Sequence, residues 1–300
     1  MPLTLWSSSK YTFPLPEGHR FPVAKYAMLR ERVVAEEIVP AERVLDPLGA
    51  DDATLSLVHT AGYVEQFVSG ALSAAEIRRL GFPWSPALVE RSRRAVGGTI
   101  AAARHALGHG VAMNLAGGTH HAFADHGEGF CVFNDVAVAI RLLQRERLIR
   151  RAVVIDLDVH QGNGTHAIFA GDASVFTFSM HGGRNYPFHK VAGTLDVELA
   201  DGARDDEYLD TLMTALPRVL AESAPDLALY IAGADPHEGD RLGRLKLTFD
   251  GLARRDAYVL ERCREVGIPV AVTIGGGYGA RIEDSVAVHV ATARIAAQMA

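Results

Sequence analysis

The chain has 300 residues, 48% of them hydrophobic and 22% charged, a globular balance that excludes a disordered, collagen-like or coiled-coil protein. Its formal net charge of −6, with no block of Lys or Arg to set against it, argues against nucleic acid as a direct partner. Cys131 and Cys263 are too few for a disulfide framework and lack CxxC spacing, no apolar run reaches the ~18 residues of a membrane span, and the start of the chain lacks a basic segment followed by an apolar one, so the expectation is a cytoplasmic protein with no membrane span.

In chain order, residues 1–80 are irregular, punctuated by Pro14, Pro16 and Pro22, with one helix expected from near Pro22 to about Glu37. Helical patterns over 86–107, 132–148, 205–223, 249–266 and 283–299 then alternate with short apolar runs at 111–116, 152–157, 174–180, 227–232 and 269–274. The lengths and Val/Ile/Phe content of these runs suit buried parallel strands, and the alternation predicts an α/β fold: an open parallel sheet with helices on both faces. Tyr208, Leu209, Leu212, Met213, Leu216 and Leu220 recur at helical spacing, the stripe of a helix lying on a sheet. Arg91, Arg93 and Arg94, and likewise Arg145, Arg147, Arg150 and Arg151, are interrupted by Glu and read as solvated helix faces. No repeat, low-complexity segment or linker divides the chain, so one catalytic domain over residues 1–300 is expected.

An open α/β sheet binds its ligand beyond the carboxyl ends of its strands, and here those ends hold the chemistry. Eight of the 13 His fall at positions 120, 121, 126, 160, 166, 181, 189 and 237, among glycine-rich turns. The strand ends read Gly117-Gly118-Thr119-His120-His121, Asp156-Leu157-Asp158-Val159-His160, Ser179-Met180-His181, Gly233-Ala234-Asp235-Pro236-His237-Glu238-Gly239-Asp240 and Gly275-Gly276-Gly277-Tyr278-Gly279. Alternate residues share a face, so Asp156, Asp158 and His160 project together. Two oxygens and a nitrogen, completed by one more carboxylate, suit Zn²⁺ or another divalent transition metal. Asp240 is the first candidate for that carboxylate and Asp235 the second. Glycines before His120 and before Tyr278 allow the backbone to turn and deliver these side chains into the crevice.

The strings GGTHHAF, GFCVFND, VIDLDVHQGNGT, FSMH, GADPHEGDRLG and GGGYG, in that order, resemble the zinc-dependent histone deacetylase family over residues 15–295, and are most similar to its class IV branch and bacterial homologues. The resemblance implies an arginase-like fold and hydrolysis of acetyl or longer acyl groups from lysine in proteins or peptides. It implies Asp158, His160 and Asp240 as zinc ligands, His120 and His121 as the catalytic imidazoles, and Tyr278 as hydroxyl donor to the scissile carbonyl. Asp156 would orient His120, and Asn163 stands where class I members have an Asp beside the second His. An amide stabilises imidazolium less than a carboxylate, which favours His121 as a base. A structural K⁺ or Na⁺ is implied near Asp156, Asp158 and Ser179, with His160 and Met180 contributing. Phe130 matches one aromatic wall of the acyl-lysine channel, with Tyr186 or Phe188 opposite, and Gly129, Gly276 and Gly277 are further candidate binding residues.

An arginase-like two-manganese ureohydrolase needs more carboxylates than Gln161, Gly162 and Asn163 provide after His160. An acetylpolyamine deacetylase would want an acidic rim, for which Glu17, Asp51 and Asp125 are candidates. A decayed acyl-lysine-binding module would have little reason to keep so many costly buried charges. Four Lys against 26 Arg suggest a GC-rich bacterial genome.

Overall fold

A computed structural model describes residues 3–300. Its sheet comprises β1 (Leu5–Trp6), β2 (Val44–Leu45), β3 (Val111–Asn114), β4 (Ala152–Asp156), β5 (Val175–Gly182), β6 (Leu195–Leu199), β7 (Leu227–Ala232) and β8 (Val270–Ile274). All neighbours are parallel, in the order β2-β1-β3-β8-β7-β4-β5-β6. The five apolar runs are β3, β4, β5, β7 and β8. The sequence reading missed β1, β2 and β6: the first two are two residues long, and Leu195–Leu199 alternates with charge at the sheet's edge.

Period-two alternation divides the core into two layers. Val153, Ile155, Ala228, Tyr230, Val270 and Val272 face one cluster. Ala152, Val154, Leu227, Leu229, Ile231 and Ala271 face the other. The helices Lys25–Ala35, Asp205–Ser223, Phe249–Glu265 and Ile282–Met299 cover the first layer, while Ala61–Ser69, Pro86–His109 and Asp135–Arg145 cover the second. Their starts follow capping rules: Ser85 accepts from Leu88 N ahead of Pro86, Asn134 accepts from Ala137 N, and Thr248 accepts from Gly251 N. On the helix Asp205–Ser223 the expected stripe is buried except for Met213, which is 43% exposed; a stripe read only from spacing is wider than the face the sheet covers. Arg91 also departs from expectation. It is buried, its guanidinium 4.4 Å from the Tyr26 ring, where cation–π contact replaces solvent. Among the described residues, no helix is long and apolar enough to cross a membrane.

The crossover into the central strands brings β3, β8, β7, β4 and β5 side by side, so that all five chemically unusual strand ends are adjacent. Behind them, buried His59 donates from Nδ1 to Phe123 O at 2.9 Å and accepts Asn134 N at Nε2, 3.0 Å away. An imidazole accepting a backbone N–H has no room for a second proton, and burial holds its pKa down at about 4. The unfolded chain takes up this proton near pH 6.5, before the folded chain does, so the contribution is complete above pH 6.5 and is lost as pH falls toward 4, by as much as about 3 kcal/mol. Urea unfolding between pH 7 and 4.5 should show falling stability, with a shallower dependence in His59→Asn; equal slopes would refute this assignment.

Candidate active site

Asp158 and His160 leave the end of β4, and Asp235 lies three residues beyond β7. One ligand atom from each of these three buried residues lies within 4.8 Å of the others. The backbone sets this convergence. Val159 N donates to Asp235 Oδ1 at 2.9 Å, Gly276 N to Asp158 Oδ2 at 2.7 Å, and His160 N to Asp158 Oδ1 at 2.9 Å. Gly276 is required by close approach: a Cβ there would stand 1.7 Å from Asp235 Oδ2.

The trio fits a divalent cation. Asp235 Oδ2 is buried and has no hydrogen-bond partner; His160 Nδ1 is 3.1 Å away but is hydrogen-bonded to Asp158 Oδ1 at 3.0 Å. Burial, then the charge of Asp158, raises the Asp235 pKa to about 7. Burial opposes a charged His160, yet its contacts with Asp158 and Asp235 raise it to about 10, so a proton on this ring stands where a cation would neutralise the carboxylates. Two carboxylates and an imidazole are a donor set for Zn²⁺ with open positions.

The expectation that Asp240 completes this set is corrected. Asp240 lies outside the cluster: its Oδ1 accepts from Leu242 N (2.8 Å) and Gly243 N (2.9 Å), and its Oδ2 from Tyr278 N (2.6 Å). Three backbone amides hold it as a loop clamp that sets the main chain of Tyr278. Both carboxylates follow the same strand, and their order in the sequence does not reveal which one turns inward.

The other predicted residues gather around the trio. His120 Nδ1 is 2.6 Å from Asp156 Oδ2 and its Nε2 3.9 Å from Asp158 Oδ1. Burial disfavours its cation, but Asp156 and Asp158 raise its pKa to about 9. His121 Nδ1 is 2.7 Å from Asn163 Oδ1, and burial followed by the positive charges of His120 and His160 moves its pKa far down. Tyr278 stands with its ring 5.9 Å from that of Phe130, and burial keeps its hydroxyl protonated far above the ordinary range. His120, His121, Phe130, Gly129, Gly276 and Tyr278 all line one cavity with the trio. Gly277, at φ 116°, packs against Ser285 and Ala234 beside it. Gly129 needs its φ of 58° and its lack of Cβ, which would meet His121 Cδ2 at 2.7 Å. Of the two candidate walls, Tyr186 lies edge-on to His121 at 4.9 Å, whereas Phe188 is 80% exposed. Asp156 and Ser179 are register partners on β4 and β5, the juxtaposition an alkali ion there would use. Asp51 caps the helix Asp52–Leu55 through Thr54 N, and exposed Asp125 pairs with His126.

Two positioning residues were missed. Buried Asp135 accepts from Gly118 N (3.1 Å) and Thr119 N (2.8 Å), clamping the turn that delivers His120 and His121. Buried Lys25 donates to Gly276 O (2.9 Å) and Gly275 O (3.3 Å), holding the loop before Tyr278. The FND and AKY contexts of these residues carry no local sign of such distant partners.

A family model described as "Histone deacetylase domain" matches residues 19–293. An uncharacterised protein of Picosynechococcus sp. is 47% identical over 279 residues, 93% of each chain. Histone deacetylase 2 of Arabidopsis thaliana is 35% identical over 270 residues, 87% of this chain and 70% of that one. The crystal structure of a histone deacetylase homologue from Aquifex aeolicus superposes with a TM-score of 0.85 at 25% identity, over 100% of this chain and 84% of that one.

Metal titration of the purified protein separates the two carboxylates. Asp235→Asn should weaken Zn²⁺ or Co²⁺ binding by on the order of a hundredfold, while Asp240→Asn keeps one ion per chain. The opposite ranking would restore Asp240 as ligand.

Proposed function

Because the chain belongs to the histone deacetylase domain family, we propose that it is a zinc-dependent hydrolase that removes acetyl or longer acyl groups from the side-chain amide of lysine in cytoplasmic proteins or peptides. The observation that carries this reading is the convergence of the Asp158, His160 and Asp235 trio, the His120 and His121 pair and Tyr278 on a single cavity. The compartment is supported by Cys131 and Cys263, both buried and free.

Asp158, His160 and Asp235 would hold Zn²⁺, which when bound supplies a Lewis acid for the amide carbonyl and for water. Because two carboxylates already offset the ion's charge, a separate base is required. His121 is suited to that role: its Nδ1 faces Asn163 Oδ1, so Nδ1 carries the proton and Nε2 keeps a lone pair. Nε2 takes a proton from the attacking water and returns it to the lysine nitrogen as the C–N bond breaks, leaving a free amine and a carboxylate. His120 is held cationic by Asp156 and supplies positive charge beside the reacting carbonyl. Tyr278, protonated at neutral pH, donates to the developing oxyanion. Phe130 offers an apolar wall for the lysine methylenes.

The test is amine release from acetyl- and longer acyl-lysine peptides by the zinc-loaded protein. Tyr278→Phe should lower kcat by on the order of 10²–10³ while leaving thermal stability near that of the parent, and hydroxamates, as chelators of divalent metals, should inhibit. Turnover of acetylpolyamines alone, or full activity in Tyr278→Phe, would contradict the reading.

A further inference from the structure

Glu128 begins the tight turn to Cys131, its carbonyl accepting Cys131 N at 2.9 Å, and its side chain is only 16% exposed. Neither the metal trio nor the histidine pair explains a carboxylate there. Its Oε1 accepts two hydrogen bonds, from Asn163 Nδ2 at 2.7 Å and from the Tyr186 hydroxyl at 2.8 Å. Both donors are in contact with His121: Asn163 Oδ1 lies 2.7 Å from its Nδ1, and the Tyr186 ring stands edge-on to it, with centroids 4.9 Å apart at 83°. The remaining oxygen, Oε2, faces His126 Nε2 at 3.8 Å.

The order of these contacts has a chemical consequence. An amide has a donor end and an acceptor end, and only its surroundings decide which way it points. An ionised carboxylate accepts and never donates, so Glu128 compels Asn163 to turn Nδ2 toward it. The amide oxygen then faces His121, which must present a proton at Nδ1 and a lone pair at Nε2. The nearby His126 and the hydrogen bonds from Asn163 and Tyr186 outweigh burial and keep Glu128 ionised. A carboxylate that would otherwise touch the imidazole thus acts one amide away, fixing the tautomer without meeting the ring.

We propose that Glu128 is a positioning residue for the reaction: through Asn163 it sets the His121 tautomer that leaves Nε2 as base, and through Tyr186 it fixes the plane of that ring. The proposal rests on the acyl-lysine reading above only for its kinetic consequence.

Glu128→Gln is nearly isosteric but can turn either a donor or an acceptor toward Asn163, so it no longer compels the amide to point Nδ2 away from His121. Its kcat should fall about tenfold or more, the range seen when the partner behind a reactive group is lost, with KM and melting temperature close to those of the parent. In ¹⁵N-histidine NMR the His121 Nδ1–H resonance should move or split into two tautomers. Adding Asn163→Asp, which places the carboxylate directly on His121, should restore most of the lost kcat, while Tyr186→Phe alone, which frees the ring plane but leaves the amide held, should lower kcat by less than Glu128→Gln does. A Glu128→Gln protein with unchanged kcat and an unchanged His121 resonance overturns the proposal. A wild-type chain that turns over no acyl-lysine overturns the functional reading instead, and the resonance shift then decides the Glu128 coupling by itself.

Discussion

Two buried carboxylates at adjacent strand ends, Asp158 and Asp235, are the constraint on which the rest of this structure depends. Like charges this close and this dry are unfavourable unless a cation lies between them. The chain provides His160 between them and Arg255 beneath. Arg255 is fully buried, paired with Asp256, and donates to the carbonyls of Leu157 (3.2 Å) and Gly233 (2.7 Å), the residues that lead into the two ligand loops. The guanidinium therefore supports both loops from below, while their carboxylates point toward the cavity above. A metal held by this trio would complete a charge arrangement that is otherwise short of positive charge.

Glycines and buried side-chain clamps convert this constraint into geometry. Gly276 admits Asp235 to within van der Waals contact of the loop backbone, Lys25 holds that loop by its carbonyls, and Asp240 holds its continuation through Tyr278 N. On the other side, Asp135 binds the Gly118-Thr119 amides and so fixes both histidines. The two imidazoles, with ring centroids 4.1 Å apart, are driven to opposite charge states: Asp156 and Asp158 outweigh burial at His120, while burial and the charges of His120 and His160 keep His121 neutral. In the proposed mechanism this difference would leave proton transfer to His121 and charge stabilisation to His120.

Much of this was legible in the sequence because parallel strands bury both faces and reveal themselves as uninterrupted apolar runs, with the chemistry concentrated where those runs stop. The Asp156, Asp158, His160 register follows from strand periodicity, and the Gly-His-His and Gly-Tyr turns from the need for close approach. Other features depend on long-range placement. Whether Asp235 or Asp240 turns inward is decided by Val159 N and Leu242 N, contacts that no spacing encodes. Arg91 reads as a surface cation because charge patterning cannot see that Tyr26 lies beneath it. Tyr186 and Phe188 are equivalent on paper; only the fold puts one against His121 and leaves the other in solvent.

If Asp158, His160 and Asp235 together hold the metal of an acyl-lysine hydrolase, as proposed, activity must follow metal occupancy. The most direct measurement is the rate of acetyl-lysine peptide hydrolysis by chelator-stripped protein as Zn²⁺ is added back, read beside the number of ions bound per chain. The account predicts no turnover in the stripped protein and a linear rise that breaks at one ion per chain. Hydrolysis that persists in the stripped protein, or one bound ion per chain with no turnover of any acyl-lysine, would contradict it.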